Sequence, residues 1–442
     1  MLCDGRVVCG CADPYAKRVL GDARQASIRD VWSGPAITNL RRELNSGGSA
    51  FCGDCALKRP LAEQEEPPIR GLDAGPFPAR MFIECTAACN ISCFQACCAP
   101  ETGITRTREA GMLDIEVFRR VIDEVGPSLG RVDFFNYGEA FLHKRAVEMC
   151  EYLKQRYPHI YLYTSTNGTA LSEEQARRLV HSGIDEVTFS IDGARPESYS
   201  RYRQRGKFDV ALRNLRAMAD EKRRSGRDLP FINWRYILFR WNDSDEEMAE
   251  ARRMAADVGV DRLCWEITDH PEDAFSQRFV KGSAAFEAIR RETWDDNNLG
   301  NAIPGAMPRA RIEVRSPLGF DRLPLFARSG APLVVRTRVH NLSDRPFPNV
   351  ATYGRRLVQL GAQLCQEDGT LINLDFARAR LPEPLDGGRS ADIEIALPPV
   401  ATTGRYVLKF DLVCEGVDWF ERCGSDTTLK PLRVRSAGAW PK

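Results

Sequence analysis

Between residues 81 and 295, short apolar runs alternate with segments that have a helical hydrophobic period. The segment LDIEVFRRVIDEVG carries Phe118, Val121, Ile122 and Val125 at positions i, i+3, i+4 and i+7. These four side chains fall on one face of a helix, so the spacing predicts an amphipathic helix that packs on a core.

Further helices and strands follow in the same stretch. The capping-box sequences SEEQ, from residue 172, and SDEE, from residue 244, predict two more helix starts. Repeated strand–helix alternation predicts an α/β fold with a parallel sheet, in which chemistry collects at the carboxyl ends of the strands. The predicted strands are RVDFF (131–135), IYLYT (160–164), EVTFSI (186–191), INWRYILF (232–239) and RLCWEI (262–267).

The pattern changes after about residue 310. Short alternating segments, such as LVVRTRVH (333–340), ADIEIAL (391–397) and RYVLKFDLVC (405–414), are separated by Pro and Gly turns. This pattern of short alternating segments and turns predicts an antiparallel β-sandwich.

The 442 residues are too many for one ordinary domain. We predict a small cysteine-bearing unit over 1–58, a Pro-, Gly- and charge-rich linker over 59–80, an α/β core over 81–295 and a β-sandwich over 310–436.

The net charge of +1 gives no electrostatic reason to expect nucleic acid or an anionic membrane as a partner. Neither a membrane-spanning apolar run nor a signal peptide is evident in the sequence. We therefore expect a cytoplasmic protein with no nucleic-acid or membrane partner.

Fifteen cysteines are many for such a protein, and ten of them are clustered. Five lie within residues 3–55 and five within 85–98. Because a reducing compartment disfavours disulfides, clustered cysteines there point to metal ligands.

Within ECTAACNISCFQACCAPE, Cys89, Cys93 and Cys97 are separated by three residues each. A structural zinc site usually takes four protein ligands. An iron–sulfur cluster with three protein ligands leaves one iron open to a substrate or cofactor. A zinc knuckle on an ordinary α/β domain is the alternative, and either Cys97 or Cys98 could supply the third ligand.

This cysteine loop resembles that of radical SAM enzymes, although the usual spacing there is three residues and then two. The resemblance implies a partial (β/α) barrel with a 4Fe–4S cluster on Cys89, Cys93 and Cys97 and S-adenosylmethionine (SAM) at the open iron. Cys85 and Cys98 are then packing or spare thiols. NYGEAF, TSTNG, SIDG and RYRQRGKFD resemble later elements of the same family. From them, the residues expected to bind SAM are Gly138, Glu139, Ser165, Asn167, Ser190, Asp192 and Arg203.

The N-terminal block resembles the SPASM or twitch segment that follows many radical SAM barrels, here placed before the barrel. DGRVV, LGD, SIRDVW and the closing Cys-x-x-Cys carry the resemblance. It implies an auxiliary 4Fe–4S cluster, and structural zinc is the alternative. The expected ligands are Cys9, Cys11, Cys52 and Cys55, with Cys3 as an alternate for Cys9.

The C-terminal block resembles immunoglobulin-like sandwiches and carbohydrate-binding modules. Trp419 and Phe420, in GRYVLKFDLVCEGVDWFE, are candidates for a sugar-binding surface. Burial in the core is the alternative for both side chains.

Together these features resemble the radical SAM diol dehydratases of aminoglycoside biosynthesis, which remove the 3′-hydroxyl of paromamine on the route to apramycin. The resemblance implies hydrogen abstraction from C4′ of an aminosugar, an electron donor of the flavodoxin or ferredoxin type, and an NADPH-dependent reductase that acts on the product. The acid–base candidates are Tyr236, Glu266, Asp269 and His270.

Three alternatives stay open at this point. They are a radical SAM dehydrogenase or epimerase, a peptide-modifying SPASM enzyme, and a non-catalytic metal-binding scaffold with a glycan-binding sandwich.

Overall fold

The structure is a computed structural model of the 442-residue chain. The chain divides into two compact units, residues 1–287 and 288–442. The finer boundaries expected at residues 58, 80, 295 and 310 stay predictions. The structure describes residues 1–9, 13, 15–46, 75–94, 111–269, 271–294, 309–315, 324–350, 357–415 and 418–436.

The first unit is built on a six-stranded sheet in which every neighbouring pair is parallel, in the order β10-β9-β7-β6-β5-β3. The predicted α/β class is therefore confirmed. These strands are β3 (Arg80–Phe82), β5 (Arg131–Asp133), β6 (Tyr161–Thr166), β7 (Glu186–Ser190), β9 (Phe231–Leu238) and β10 (Arg262–Ile267).

Helices connect these strands, and their starts follow the local sequence. Asp114 caps the amphipathic helix, and all four side chains of its predicted apolar face are buried. Ser172 forms a capping box with Gln175, and the Ser244 hydroxyl accepts from the backbone N–H of Glu247. The helices are α3 (Ile115–Val125), α4 (Ala146–Arg156), α5 (Glu173–His181), α6 (Pro196–Tyr202), α7 (Phe208–Ser225), α8 (Asp245–Val258) and α9 (Ala284–Ile289).

A short antiparallel ladder joins β4 (Ser92–Cys93) to β8 (Arg203–Gln204). It ties the loop that follows β3 to the segment that follows α6. This ladder fixes the position of the cysteine loop against the sheet.

The N-terminal segment packs on the edge of the parallel sheet. It contains the strand pair β1 (Arg6–Val7) and β2 (Gly21–Asp22) and the helices α1 (Ile28–Ser33) and α2 (Pro35–Asn45). The Glu124 carboxylate of α3 accepts hydrogen bonds from the backbone N–H groups of Ile28 and Arg29, both at 2.9 Å. A carboxylate at a helix N-terminus is stabilising, so this contact anchors α1 on the sheet domain.

The second unit consists of two sheets around one apolar core. The first has the order β11-β13-β16, and the second has β12-β19-β17-β14-β15 with β18 beside β17. All pairs are antiparallel except β12 with β19, which is parallel. The strands are β11 (Ala310–Arg315), β12 (Leu325–Arg328), β13 (Leu333–Asn341), β14 (Val358–Gln366), β15 (Leu371–Arg380), β16 (Ser390–Leu397), β17 (Gly404–Cys414), β18 (Asp418–Trp419) and β19 (Thr428–Arg435).

Trp419 and Phe420 belong to the buried side of this sandwich, with exposed fractions of 5% and 0%. Phe420 packs edge-on against Phe347, and the Arg378 guanidinium covers the Trp419 ring. These two aromatic side chains therefore offer no open platform for a sugar, and their expected role as a binding surface is wrong.

No helix in the described ranges has the length and apolar composition needed to cross a membrane.

Candidate active site

A cavity of about 550 Å³ opens at the carboxyl ends of the parallel strands, where the strand–helix pattern predicted it. Nine residues singled out from the sequence line this cavity. They are Cys89, Cys93, Gly138, Glu139, Ser165, Asn167, Ser190, Arg203 and Glu266.

Two of the expected cluster ligands stand on this wall, Cys89 half-buried and Cys93 buried. Cys97 and its alternate Cys98 lie outside the described residues. Within the part of the chain that is described, no three His, Cys, Asp or Glu side chains group closely enough to hold a metal ion.

Cys85, in the same loop, has a different environment. Its thiol is buried and donates to the carbonyl oxygen of Ala140 at 3.4 Å. Burial raises the pKa of this thiol well above its usual range, and Cys150 and Glu139 add to the rise. A thiol kept neutral in this way is a poor metal ligand and fits the packing role expected of it.

Gly138 brings the next loop directly against the cysteine loop. A Cβ atom at Gly138 would overlap the carbonyl oxygen of Thr86 and lie 2.8 Å from that of Ala88. The following backbone N–H, of Glu139, donates to the same Ala88 oxygen at 2.8 Å. Only glycine permits this approach, so the residue locks the two loops together.

The Glu139 carboxylate is buried in the loop that follows β5 and accepts three hydrogen bonds. Thr166 Oγ1 and the Asn167 backbone N–H both donate at 2.7 Å, and the Phe141 N–H donates at 3.3 Å. Burial raises the pKa of Glu139, and these donors oppose the rise.

Polar side chains from β6 and β7 continue the wall. Asn167 Nδ2 donates to Asn90 Oδ1 at 2.9 Å and lies 3.9 Å from Cys89 Sγ. The hydroxyls of Ser165 and Ser190 are 3.3 Å apart. The structure thus brings the expected β6 and β7 residues to the cysteine loop.

Asp192 and Arg203 form a buried ion pair. Arg203 Nε donates to Asp192 Oδ2 at 2.5 Å, and Arg203 Nη1 donates to Cys93 Sγ at 3.4 Å. Burial opposes the charge of the guanidinium, but Asp192 and then Cys93 hold the pKa of Arg203 well above its ordinary value. Asp192 does not line the cavity but supports the residue that does.

Arg235 is a site residue that the sequence analysis missed. It lies opposite Ser190 in the parallel register, and its Nη2 donates to Ser190 Oγ at 3.1 Å. Its Nε lies 3.1 Å from Glu266 Oε2, so an ion pair crosses from β9 to β10 on the cavity wall. The two-residue alternation of a strand could have identified it, because Arg235, Ile237 and Phe239 lie on one face of this segment and all line the cavity.

Because side chains alternate along β9, Tyr236 does not face the cavity, and the expectation that it acts there as an acid or base is wrong. This side chain is buried on the opposite face of β9, where its hydroxyl donates to the Asn242 carbonyl and to Glu247 Oε1, both at 3.3 Å. Asp269 is exposed and is not among the cavity-lining residues, and His270 lies outside the described residues. Of the three described acid–base candidates, only Glu266 lines the cavity.

Asn136 is a second residue that the sequence analysis did not single out. Its Nδ2 donates to Glu84 Oε2 at 3.1 Å, and the other carboxylate oxygen accepts from the backbone N–H of Cys3. A carboxylate only accepts hydrogen bonds, so this contact fixes the orientation of the amide. The opposite atom, Asn136 Oδ1, is buried in the cavity wall and has no hydrogen-bond partner among the described residues.

The N-terminal cysteines are described only in part. Cys3 is buried beside Gly111, and Cys9 lines an apolar cavity of about 280 Å³ between α1, α2 and β3. Cys11, Cys52 and Cys55 lie outside the described residues.

Comparison with known families supports both sequence resemblances. Residues 83–263 match the model of the radical SAM superfamily, and residues 1–56 match that of SPASM, described as an iron-sulfur cluster-binding domain.

Two curated relatives illustrate the similarity. A stretch of 163 residues is 33% identical to mycofactocin maturase MftC of Mycobacterium tuberculosis, covering 36% of this chain and 37% of that protein. GTP 3′,8-cyclase of Desulforamulus reducens is 29% identical over 133 residues, covering 30% of this chain and 40% of that one. The chain thus spans little more than a third of the relatives that it matches.

Solved structures show weaker overall likeness. Streptococcus suis SuiB bound to S-adenosylmethionine matches with a TM-score of 0.38 and 13% identity, over 48% of this chain and 47% of that one. BtrN in complex with AdoMet and 2-DOIA matches with a TM-score of 0.23 and 22% identity, over 25% and 45%.

Residues 83–263 therefore match a radical SAM domain, and residues 1–56, ahead of it, match a SPASM segment. These domains imply a 4Fe–4S cluster, SAM and an auxiliary iron–sulfur cluster, which confirms the expected cofactors. The donors on the cavity wall fit the first of these groups, since the thiols of Cys89 and Cys93 line the cavity and Gly138 holds the next loop against the cysteine loop.

Proposed function

We propose that this chain is a radical SAM enzyme that dehydrates the 1,2-diol of an aminosugar such as paromamine. The observation that carries the proposal is one cavity wall that holds the thiols of Cys89 and Cys93 together with Arg235, Glu266 and Asn136. The thiols suit a cluster, and the other three side chains suit a small substrate rich in hydroxyl and amino groups.

Cys89, Cys93 and Cys97 would hold the cluster. When bound, the cluster and SAM would supply the 5′-deoxyadenosyl radical chemistry that takes a hydrogen atom from C4′ of the sugar. Glu139 would accept a hydrogen bond from the SAM ammonium group, and Ser165, Asn167 and Ser190 would contact the rest of the cofactor.

Glu266 is the proposed general base. After hydrogen abstraction, its carboxylate takes the proton of the 4′-hydroxyl, and the C3′ hydroxyl leaves with a proton as water. One electron from a flavodoxin- or ferredoxin-type donor and one proton then complete the 4′-keto-3′-deoxy product, which a separate NADPH-dependent reductase would consume. Arg235 holds Glu266 in position through the 3.1 Å ion pair.

Asn136 would orient the substrate. A buried acceptor without a partner costs free energy until a ligand supplies a donor. Because Glu84 fixes the amide, Asn136 Oδ1 can only accept, and a hydroxyl or ammonium group of an aminosugar is a suitable donor.

Anaerobic reconstitution and turnover test this proposal. We expect at least about four irons per chain, and about eight if the auxiliary cluster also loads. Reduced protein incubated with SAM and paromamine should give 5′-deoxyadenosine and a product lighter by one water. With deuterium at C4′, the label should appear in the deoxyadenosine.

Replacement of the base sharpens the test. Glu266→Gln should lower the rate of water loss by about 10²–10⁴-fold while SAM cleavage continues. Glu272→Gln, at an exposed carboxylate nearby in sequence, is the matched control. An oxidised or epimerised product that retains the water would instead support the dehydrogenase or epimerase alternative. Absence of SAM cleavage with any sugar or peptide would leave only the non-catalytic scaffold.

A further inference from the structure

Arg203 touches a proposed cluster ligand directly. In the antiparallel ladder between β4 and β8, Arg203 is the register partner of Cys93. The side chains meet as well, because Arg203 Nη1 donates to Cys93 Sγ at 3.4 Å. Backbone pairing and side-chain contact thus aim the guanidinium at one sulfur atom.

The guanidinium is held in this position by a second buried contact. Asp192 Oδ2 accepts from Arg203 Nε at 2.5 Å, and Asp192 Oδ1 accepts from the backbone N–H of Ile237 at 2.7 Å. Asp192 is fully buried, and Arg203 is 8% exposed. A planar guanidinium group that is bound at one edge by a fixed carboxylate presents its other N–H groups in a defined direction.

Apolar side chains pack around the Cys93 side of this contact. Cys93 belongs to a buried cluster with Ile91, Tyr202 and Phe239, and Trp241 stacks on Phe239 with ring centroids 4.9 Å apart. Burial of both partners strengthens the interaction of a positive charge with a nearby thiolate, since a buried pair is screened less than an exposed one.

We infer that Arg203 raises the reduction potential of the cluster by donating a hydrogen bond to the Cys93 thiolate, and that Asp192 positions Arg203 for this. A reduced cluster carries one more negative charge than the oxidised cluster, so a cationic donor at a ligand sulfur stabilises it more. This inference rests on the proposed function in one respect, that Cys93 is a cluster ligand. It gives Arg203 a role at the sulfur in place of the contact with SAM expected from the sequence.

The test is the reduced fraction of the reconstituted cluster at a fixed applied potential, read from its electron paramagnetic resonance signal without SAM. Arg203→Lys keeps a cation beside Asp192, but an ammonium group cannot bridge Asp192 and Cys93 as the guanidinium group does. We expect about a tenfold lower ratio of reduced to oxidised cluster, which corresponds to about 59 mV for a one-electron couple.

A second variant keeps the test decisive if Arg203→Lys disturbs folding. Replacing both Arg203→Gln and Asp192→Asn avoids leaving one buried charge unpaired, and it should shift the ratio in the same direction. Arg201→Gln is the matched control, because Arg201 is exposed and its guanidinium lies over the Trp241 ring. It should leave the ratio unchanged.

The outcomes separate this inference from the proposed function. Wild-type protein that binds no cluster would remove the proposed function itself. A loaded wild type with an unchanged ratio in both variants would overturn the inference alone, as would a shift that appears only when SAM is added. Loss of iron from both variants, with normal loading in the control, would also overturn it, since Arg203 would then only hold the loop.

Discussion

The parallel sheet of the first unit and the larger sheet of the second unit both have buried centres, but they bury different side chains. Asp133, Thr188 and Asn233 are fully buried in the parallel sheet, whereas Leu408, Phe410 and Leu412 are fully buried along β17. Buried polar groups are costly unless they are paired. The parallel sheet pairs its buried polar groups with one another, as where Asn233 Nδ2 donates to Glu186 Oε1, and the sandwich avoids this cost over most of its core.

One buried carboxylate in each unit sharpens this contrast. Glu139 faces the cavity and accepts from three donors, while Asp411 is buried in β17 and accepts from the backbone N–H groups of Leu412 and Glu421. Burial raises the pKa of both groups. The cavity carboxylate has a proposed ligand. In the described part of the chain, the sandwich carboxylate accepts from backbone N–H groups and lies near Lys409 and Glu421.

The largest effect should come from the cavity thiols. We expect Cys93→Ala to lose about four irons per chain and all detectable SAM cleavage, because two thiolates do not retain a cluster of this type. Iron analysis and deoxyadenosine formation measure both. Cys85→Ala, in the same loop, should keep its iron, and equal loss in the two variants would contradict the division of roles between them.

In the sandwich, the expected effect is on stability. Phe410→Ala should lower the free energy of unfolding by about 3–5 kcal/mol, since it removes a fully buried ring from the apolar core. Chemical denaturation of the full chain measures this. Phe326→Ala is the control, because Phe326 is 37% exposed, and a similar loss there would show that burial does not decide the cost.

Asp411 should make stability depend on pH. Burial raises its pKa to about 7, against about 3.9 in an unfolded chain. The folded state therefore holds this proton more tightly, and the free energy of unfolding should fall as pH rises from about 4 to about 7, by up to about 4 kcal/mol. Asp411→Asn should flatten that part of the profile, whereas parallel profiles for variant and wild type would show that Asp411 does not cause it.

The smallest expected effect concerns the cavity carboxylate. Glu139→Gln keeps the shape of the side chain but replaces a charge-assisted hydrogen bond to the SAM ammonium by a neutral one. A loss of about 10–100-fold in SAM affinity should follow, measured by equilibrium binding to reconstituted protein. Glu266→Gln is the comparison within the same cavity, and it should bind SAM normally.

Much of this architecture could be read from local sequence. The helical period over 113–126 and the capping boxes at Ser172 and Ser244 predicted helices that the structure contains. The five predicted strands of the α/β core correspond to strands in the sheet, and the alternation after residue 310 predicted a sandwich. Each of these patterns depends on residues a few positions apart, so it can be recognised without knowledge of the tertiary structure.

The residues of the candidate site were predicted less completely from the sequence. Cys89, Cys93, Gly138 and Glu139 stood out because each belongs to a short recognisable pattern. Arg235 and Asn136 did not, because an arginine within a strand and an asparagine after one have many ordinary roles. Tyr236 was expected in the cavity but faces the other side of β9, since neighbouring residues on a strand point in opposite directions.

The sequence by itself therefore determined the order of strands and helices along the chain and the two classes of sheet, and it singled out Cys89, Cys93 and Gly138. Tertiary structure alone decided which distant side chains meet: Arg203 with Cys93, Arg235 with Glu266, and Asn136 with Glu84. The physical reason is that these contacts join residues from 31 to 110 positions apart. They form only when strand register and loop closure have fixed which faces are opposed.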